Sequence, residues 1–296
     1  MAERSAIEWT DHTFNGWIGC TKIGPGCDHC YAEVLATTRL GVPWGPGAQR
    51  RRTAASTWNQ PRRWNRRAAA AGVRERVFCS SLADVFDNEV SAEWRADLFR
   101  LIRETPNLDW LLVTKRIGNA ARMAEVAGGW PANVWLGATI VSQAEADRDA
   151  PKLLSTDGPR IRFLSMEPLL GPVDLTMLHY AGLTNINALT GAHGLAMPMQ
   201  GAGPRLDWII VGGESGPGAR PMHPGWVRSL RDQCASVGVP LFFKQWGEFI
   251  AHPAPNAVWK NGEAVPAELE PVTFERIGKK AAGRLLDSVT HDGRPA

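Results

Sequence analysis

The sequence predicts an α/β protein whose core is a parallel (β/α) barrel, partial rather than closed. Three observations carry that expectation. Short apolar runs alternate with stretches of helical spacing, which argues for parallel strands joined by right-handed crossovers. Nearly every apolar run ends in a polar or glycine-rich cluster, as strands do when they share one functional end. A chain of 296 residues that is 44% hydrophobic can also bury one large core, a common size for a single barrel domain.

The candidate strands run over 14–19, 77–81, 108–115, 134–140, 160–170, 206–212 and 239–244. Between them, Trp94, Leu98, Leu101 and Ile102 fall on one helical face behind a cap at Ser91, and Trp226, Val227, Leu230 and Cys234 do so behind Pro224. Residues 1–250 are expected to form the barrel domain, with a loop-rich insertion at about 174–205 that contains His193 and the Met197-Pro-Met-Gln-Gly-Ala-Gly203 run. Residues 251–296 read as a C-terminal extension in which Pro and Ala become frequent.

Composition narrows the setting. The first residues contain no apolar signal region, and no run of about 18 apolar residues is present, so a cytoplasmic protein with no membrane partner is expected. A net charge of +3 is too mild to identify a nucleic-acid partner by itself. Five cysteines, an odd number with three crowded together, fit a reducing compartment and a metal better than a disulfide framework.

Those three cysteines lie in Cys20-Thr-Lys-Ile-Gly-Pro-Gly-Cys27-Asp-His-Cys30, a loop that follows the first candidate strand. Three thiolates on one Gly-Pro-Gly loop can hold an iron-sulfur cluster and leave one coordination position open. Zinc on three cysteines with His29 or His12 is the alternative, although no second CxxC or HxxxH pair follows downstream. Unliganded buried thiols are the third reading, and a loop so rich in Gly and Pro offers little core for them. Cys79, in an apolar strand, and Cys234, on an apolar helix face, are not expected to be ligands.

The clusters after the strands are Ser80, Ser81 and Asp84; Thr114, Lys115 and Arg116; Ser142 and Gln143; Ser165 and Glu167; Gly212, Gly213, Glu214 and Ser215; and Lys244, Gln245 and Trp246. In a parallel barrel these converge on the carboxyl-end face. Lys115, Lys244 and Gln245 are the candidate catalytic side chains, and Gly212 and Gly213 suit close approach of backbone to a ligand, or else a simple tight turn. Between residues 50 and 67 lie seven arginines interleaved with Trp58 and Trp64. Arg62 and Arg63 are candidate phosphate contacts and Trp58 and Trp64 candidate stacking faces, so nucleic acid is the leading substrate class. A solvated arginine face with both tryptophans in the core explains the same pattern.

Several stretches carry a resemblance: Ile7-Glu-Trp-Thr-Asp, the cysteine loop, Leu112-Val-Thr-Lys-Arg116, Phe163-Leu-Ser-Met-Glu-Pro-Leu-Leu-Gly171, Val211-Gly-Gly-Glu-Ser-Gly-Pro-Gly-Ala-Arg-Pro-Met-His223 and Phe242-Phe-Lys-Gln-Trp-Gly247. Together they resemble the phage Gp37/Gp68 family, also called three-Cys-motif proteins, over about residues 5–250. That family in turn resembles radical S-adenosylmethionine (SAM) enzymes, with spore photoproduct lyase as a distant cousin. The usual spacing there is C-x3-C-x2-C, whereas this chain has C-x6-C-x2-C with Tyr31 after the last cysteine.

The resemblance implies a barrel of the radical SAM type and a [4Fe-4S] cluster on Cys20, Cys27 and Cys30, with SAM bound at the open iron and cleaved to a 5'-deoxyadenosyl radical. It further implies cofactor contacts at Ser80 and Ser81 (methionine end), at Glu167 or Glu214 (ribose), and at Gly212 and Gly213. An electron donor such as a flavodoxin or ferredoxin would be required. Two other functions stay open: a zinc-stabilised nucleic-acid-binding protein without catalysis, and a barrel hydrolase using Glu167, Glu214 and Lys244 in acid-base roles.

Overall fold

The computed structural model describes residues 2–180, 184–194, 203–254 and 271–296. The chain divides into two compact units, Met1–Thr139 with Lys152–Phe163, and Ile140–Pro151 with Leu164–Ala296.

In the first unit, strands β1 (His12–Phe14), β2 (Glu75–Cys79), β3 (Leu108–Thr114) and β4 (Val134–Thr139) pair in that order, each parallel to the next. The short strand Ala2–Glu3 adds an antiparallel edge to β1. Parallel neighbours cannot be joined by hairpins. The connections accordingly carry helices: α1 (Tyr31–Arg39) and α2 (Gln60–Ala71) before β2, α3 (Ala92–Arg103) before β3, and α4 (Ile117–Val126) before β4. Strand β3 reads Leu-Asp-Trp-Leu-Leu-Val-Thr and is buried at all but Val113, as expected of a parallel strand covered on both faces. Phe14 meets Trp58 and Trp110 edge-on at 5.5 and 5.4 Å, so aromatic rings fill the space beside β1. Helix α3 forms as its spacing predicts: the Ser91 hydroxyl accepts the Glu93 N–H at 3.2 Å, and Leu98, Phe99, Leu101 and Ile102 face inward.

The first strand differs from expectation. It ends at Phe14, and Trp17–Ile18 instead forms an antiparallel ladder with Arg51–Arg52. Asn15 causes the departure: its side chain donates to the Ser81 hydroxyl at 2.9 Å and accepts the Leu82 N–H at 2.7 Å. The Thr53 hydroxyl meanwhile donates to the carbonyls of Asn15 and Gly16, at 2.8 and 2.9 Å. Backbone groups that would have continued the parallel ladder are thereby taken up elsewhere.

Strand β5 (Ile161–Met166) begins in the first unit and ends in the second, and helix α5 (Gln143–Leu154) likewise crosses the division. In the second unit β6 (Trp208–Gly212) and β7 (Leu241–Gln245) pair in parallel, connected through α6 (Pro224–Val237). Helix α6 starts on Pro224 with His223 Nδ1 accepting the Gly225 N–H at 3.0 Å, and stops at Gly238 with φ 73°. The expected loop-rich insertion carries a small antiparallel sheet of Leu178–Tyr180, Thr184–Ile186 and His193–Gly194, while residues 195–202 of its Met-Pro-Met run lie outside the described residues. The C-terminal residues pack within the second unit: Trp208 Nε1 donates to Gly293 O at 2.7 Å, and the Phe243 N–H donates to His291 O at 2.9 Å. The chain is thus a mixed α/β protein with parallel strands linked by helices in chain order, a connectivity compatible with a partial parallel β/α barrel. Among the described residues no helix is long and apolar enough to cross a membrane.

Two glycines lock the ends of β6 and β7 together. A side chain at Gly213 would put its Cβ 1.9 Å from Trp246 O, and one at Gly247, where φ is 89°, would lie 2.2 Å from Glu214 O. Backbone, unlike a flexible side chain, cannot step aside cheaply. Gly213→Ala is therefore expected to destabilise the protein by at least about 1 to 3 kcal/mol, the usual cost of overpacking, as a lowered urea midpoint. A midpoint equal to wild type would contradict this packing.

Candidate functional site

The cysteine loop is fastened at its start. Gly19, with φ 117°, brings the chain against Arg50, whose Cδ would lie 2.9 Å from a Cβ at this position. Cys20 and Thr21 follow, and two arginines hold them. Arg116 donates from Nη1 to Cys20 Sγ at 3.4 Å and from Nη2 to Thr21 O at 2.8 Å. Arg50 donates from Nη2 to the Thr21 hydroxyl at 2.7 Å.

Each arginine is anchored by a buried aspartate. Asp84 accepts Arg116 Nη1 at 3.1 Å, and its remaining capacity is filled by the Thr114 hydroxyl and the N–H groups of Phe86 and Lys115. Asp87 accepts Nε and Nη2 of Arg50 at 2.9 and 2.7 Å, with the two side chains 1% and 3% exposed. Charges this well buried persist only when paired and hydrogen-bonded throughout.

The rest of the loop closes on itself. Cys27 ends the short turn Pro25–Cys27 and is buried, and Cys30 precedes α1 and packs beside Ile18, Ala36, Val42 and Leu82. Lys22 pairs with Glu33 at 2.7 Å and reaches Asp28 O at 3.2 Å. All five cysteines are free thiols. Among the described residues no three His, Cys, Asp or Glu side chains converge as a site for a single metal ion. An iron-sulfur cluster is broader than one ion, and the donor set itself, three unpaired thiols on one loop, fits such a group.

Electrostatics around Cys20 are opposed. Burial pushes its thiol up to about 11, Asp84 adds to this, and the Arg116 guanidinium works the other way. Burial disfavours the charge on Arg116, yet Asp84, Cys20 and Asp87 together outweigh that and hold its pKa above the ordinary arginine value. Cys79 and Cys234 are pushed up to about 12 by burial.

Many of the expected cofactor contacts are committed to the fold. Ser80 is buried at φ 64° with its N–H donated to Phe14 O, and the Ser81 hydroxyl is occupied by Asn15. Gly213 leaves room for the Trp246 backbone rather than for a ligand. Glu214 is buried and bound by Arg220 through the N–H, Nε and Nη2 at 2.8, 2.9 and 2.8 Å. The expectation that Glu214 is available to a ribose, or to acid-base work, is corrected by that embrace. Gln245, expected to be catalytic, is a buried clamp: its Nε2 donates to Gly213 O and its Oε1 accepts the Gly247 N–H, both at 3.0 Å.

What stays less committed is smaller. Glu167 accepts Lys244 Nζ at 2.5 Å and the Ser165 hydroxyl at 3.0 Å, and the space beside Gly212 is bounded by this pair. Lys115, half-buried at the end of β3, has no side-chain hydrogen bond or ion pair among the described residues.

The arginine segment is mostly structural. Trp58 and Trp64 are 9% and 1% exposed, and Trp64 stacks on His12 at 4.2 Å, so neither offers a face to a base. This corrects the stacking expectation; both rings fill the core between their helices and β1. Arg52 pairs with Asp97, Arg62 with Glu104, and Arg67 with Glu75. Arg63 and Arg66 remain exposed on α2 and form no ion pair among the described residues.

Arg116, Asp84, Asp87 and Arg220 are the functional-looking residues that strand-end reasoning undervalued. Arg116 and Asp84 stood in the clusters it identified, but pairing across 32 residues leaves no local signal. The chain belongs to the family described as protein of unknown function (DUF5131), whose model matches residues 4–295. No curated protein and no solved structure matches the chain.

Two outcomes follow from these contacts. Asp87→Ala removes the buried partner of Arg50 and leaves its guanidinium only the partly exposed Glu89 at 3.3 Å, so it should cost up to about 3 to 5 kcal/mol in chemical denaturation, whereas Glu104→Ala, which frees an exposed pair, should cost no more than about 1 kcal/mol. Similar losses in both would refute the grip described for the loop. Burial pushes the Cys79 thiol far above the ordinary cysteine range and shields it from reagents, so thiolate is scarce at pH 8. Mass spectrometry after iodoacetamide at pH 8 should find Cys79 unmodified in the native protein and modified after unfolding.

Proposed function

We propose that the chain is an iron-sulfur enzyme of the radical SAM type, related to the phage Gp37/Gp68 proteins, with one cluster held by Cys20, Cys27 and Cys30. The observation that carries this reading is the arrangement of three free thiols on a single loop whose first cysteine is held by the Asp84-paired Arg116 and whose next residue, Thr21, is held by the Asp87-paired Arg50. Bracing of this kind is costly to build and suits a ligand that must stay in place. A [4Fe-4S] cluster supplies one-electron chemistry and, at its open iron, a position for the amino and carboxylate groups of SAM.

The protein's own residues supply the rest. Arg116 keeps Cys20 in position and places positive charge beside its sulfur. Lys115, with no side-chain partner among the described residues, offers an ammonium at the end of β3 for an anionic group, and the Glu167–Lys244 pair offers a carboxylate and an ammonium at the ends of β5 and β7. A nucleic acid or nucleotide as substrate is the second part of the proposal. It rests on Arg63 and Arg66, since the other arginines of the segment and both tryptophans are engaged within the fold.

Anaerobic reconstitution with iron and sulfide decides the cofactor. Wild type should bind about four irons, turn brown and release 5'-deoxyadenosine from SAM under dithionite, and Cys20→Ala, Cys27→Ala and Cys30→Ala should each lose the cluster while Cys234→Ala keeps it. A colourless protein with one zinc per chain would refute the proposal in favour of a structural metal.

A further inference from the structure

Arg116 is oddly placed for a residue that only braces a loop. Its Nη2 bonds Thr21 O at 2.8 Å, which suffices to hold the backbone, yet Nη1 is shared between Asp84 Oδ2 at 3.1 Å and Cys20 Sγ at 3.4 Å. Arg50 grips the same segment through the Thr21 hydroxyl and, among the described residues, donates to no sulfur. The two arginines therefore separate two tasks: both fasten the loop, and one also donates to a sulfur. The Arg116 side chain is 9% exposed and Asp84 7%, so water and salt screen that donor weakly. Asp84 is in turn held by the Thr114 hydroxyl and two backbone N–H groups, which fixes the direction of the guanidinium.

Resting on the cluster reading above, we infer that Arg116 is a positioning and tuning residue: it holds Cys20 Sγ for ligation and, by donating an N–H to that sulfur, raises the cluster's reduction potential. The physical reason is the charge balance of the couple. Reduction from the 2+ to the 1+ state adds one electron, supplied in the experiment by dithionite, breaks no bond and adds negative charge that spreads onto the thiolate sulfurs. A fixed cation and N–H donor beside one sulfur favours the more negative state. Asp84 limits the effect without cancelling it, because the guanidinium directs a separate N–H vector at the sulfur while sharing its charge.

The test compares anaerobically reconstituted wild type, R116Q, R116K and R50K by iron content, circular dichroism and an EPR-monitored potentiometric titration. R116Q removes the cation and should shift the reduction equilibrium at least about tenfold toward the oxidised state, about 59 mV lower for one electron. R116K keeps the charge without the planar fork and should recover part of the shift. R50K, which loosens the loop without touching a sulfur, should keep the wild-type potential. Folded R116Q that binds less iron than R116K would support the positioning half of the inference. Should R116Q fail to fold, R116K decides: a lowered potential supports the inference and an unchanged one overturns it. Wild-type potentials in both Arg116 variants, or an equal shift in R50K, would overturn the role of Arg116 and leave the cluster standing. Absence of iron from reconstituted wild type would overturn the cluster reading and this inference with it.

Discussion

The buried pairing of Arg116 with Asp84 and of Arg50 with Asp87 is the constraint on which the cysteine loop depends. Four charged side chains sit at the point where the chain leaves the first parallel strands, and each would be strongly destabilising if left alone. Their requirement for partners determines the path of residues 19–21: Gly19 turns against Arg50, Cys20 points its sulfur at Arg116, and Thr21 gives its carbonyl to one arginine and its hydroxyl to the other. Such an arrangement is weak evidence for extra stability, because an apolar packing of equal volume would serve as well or better. It is better evidence that the geometry of residues 19–21 is held in place.

The strand-end clusters show how one chemical pattern serves two purposes. Polar groups gather where parallel strands stop because the last backbone groups need partners as well as because ligands bind there. In the second unit the first need dominates. Gln245 satisfies Gly213 O and the Gly247 N–H, Arg220 takes up Glu214, and the two glycines let β6 and β7 run on in contact past their paired residues. Glu167 and Lys244 differ, since their main partners are each other and a serine hydroxyl. An ion pair exposed at 13% and 18% can exchange its internal partner for an incoming ligand more cheaply than a clamp on the backbone can.

Legibility followed the range of the interaction concerned. Six of the seven parallel strands were visible as short apolar runs, the first overlapping its expected range only at Phe14, and the bounds of β3 and β4 differ from expectation by one residue at the carboxyl end. The cap at Ser91 and the buried face of α3 were visible because both are local periodicities. By contrast the early end of β1 depends on Asn15 reaching Ser81 and Leu82, 66 and 67 residues away. Trp58 and Trp64 among arginines look alike whether they face solvent or core. On α2 the decision falls to Pro61, Trp64 and Ala68, which share one buried stripe while Arg63, Arg66 and Arg67 lie off it.

That stripe also explains why so many arginines accompany so mild a net charge. With carboxylates positioned opposite Arg50, Arg52, Arg62 and Arg67, the segment adds hydrogen-bond donors and long aliphatic stems without building a large positive field. Arg52 lies over the Trp58 and Trp94 rings at 4.6 and 5.9 Å, covering indole surface that would otherwise meet water. The same residue type thus carries three different duties within the first unit. Arg52 and Arg62 cover and tether the helices, Arg50 anchors a loop from inside, and Arg116 alone among the described arginines directs an N–H at a cysteine sulfur. Which duty an arginine performs is decided by the carboxylate it meets and the burial it shares. Among the described residues the Arg116–Asp84 pair, buried and in contact with a sulfur, is the one where chemistry beyond folding is to be sought.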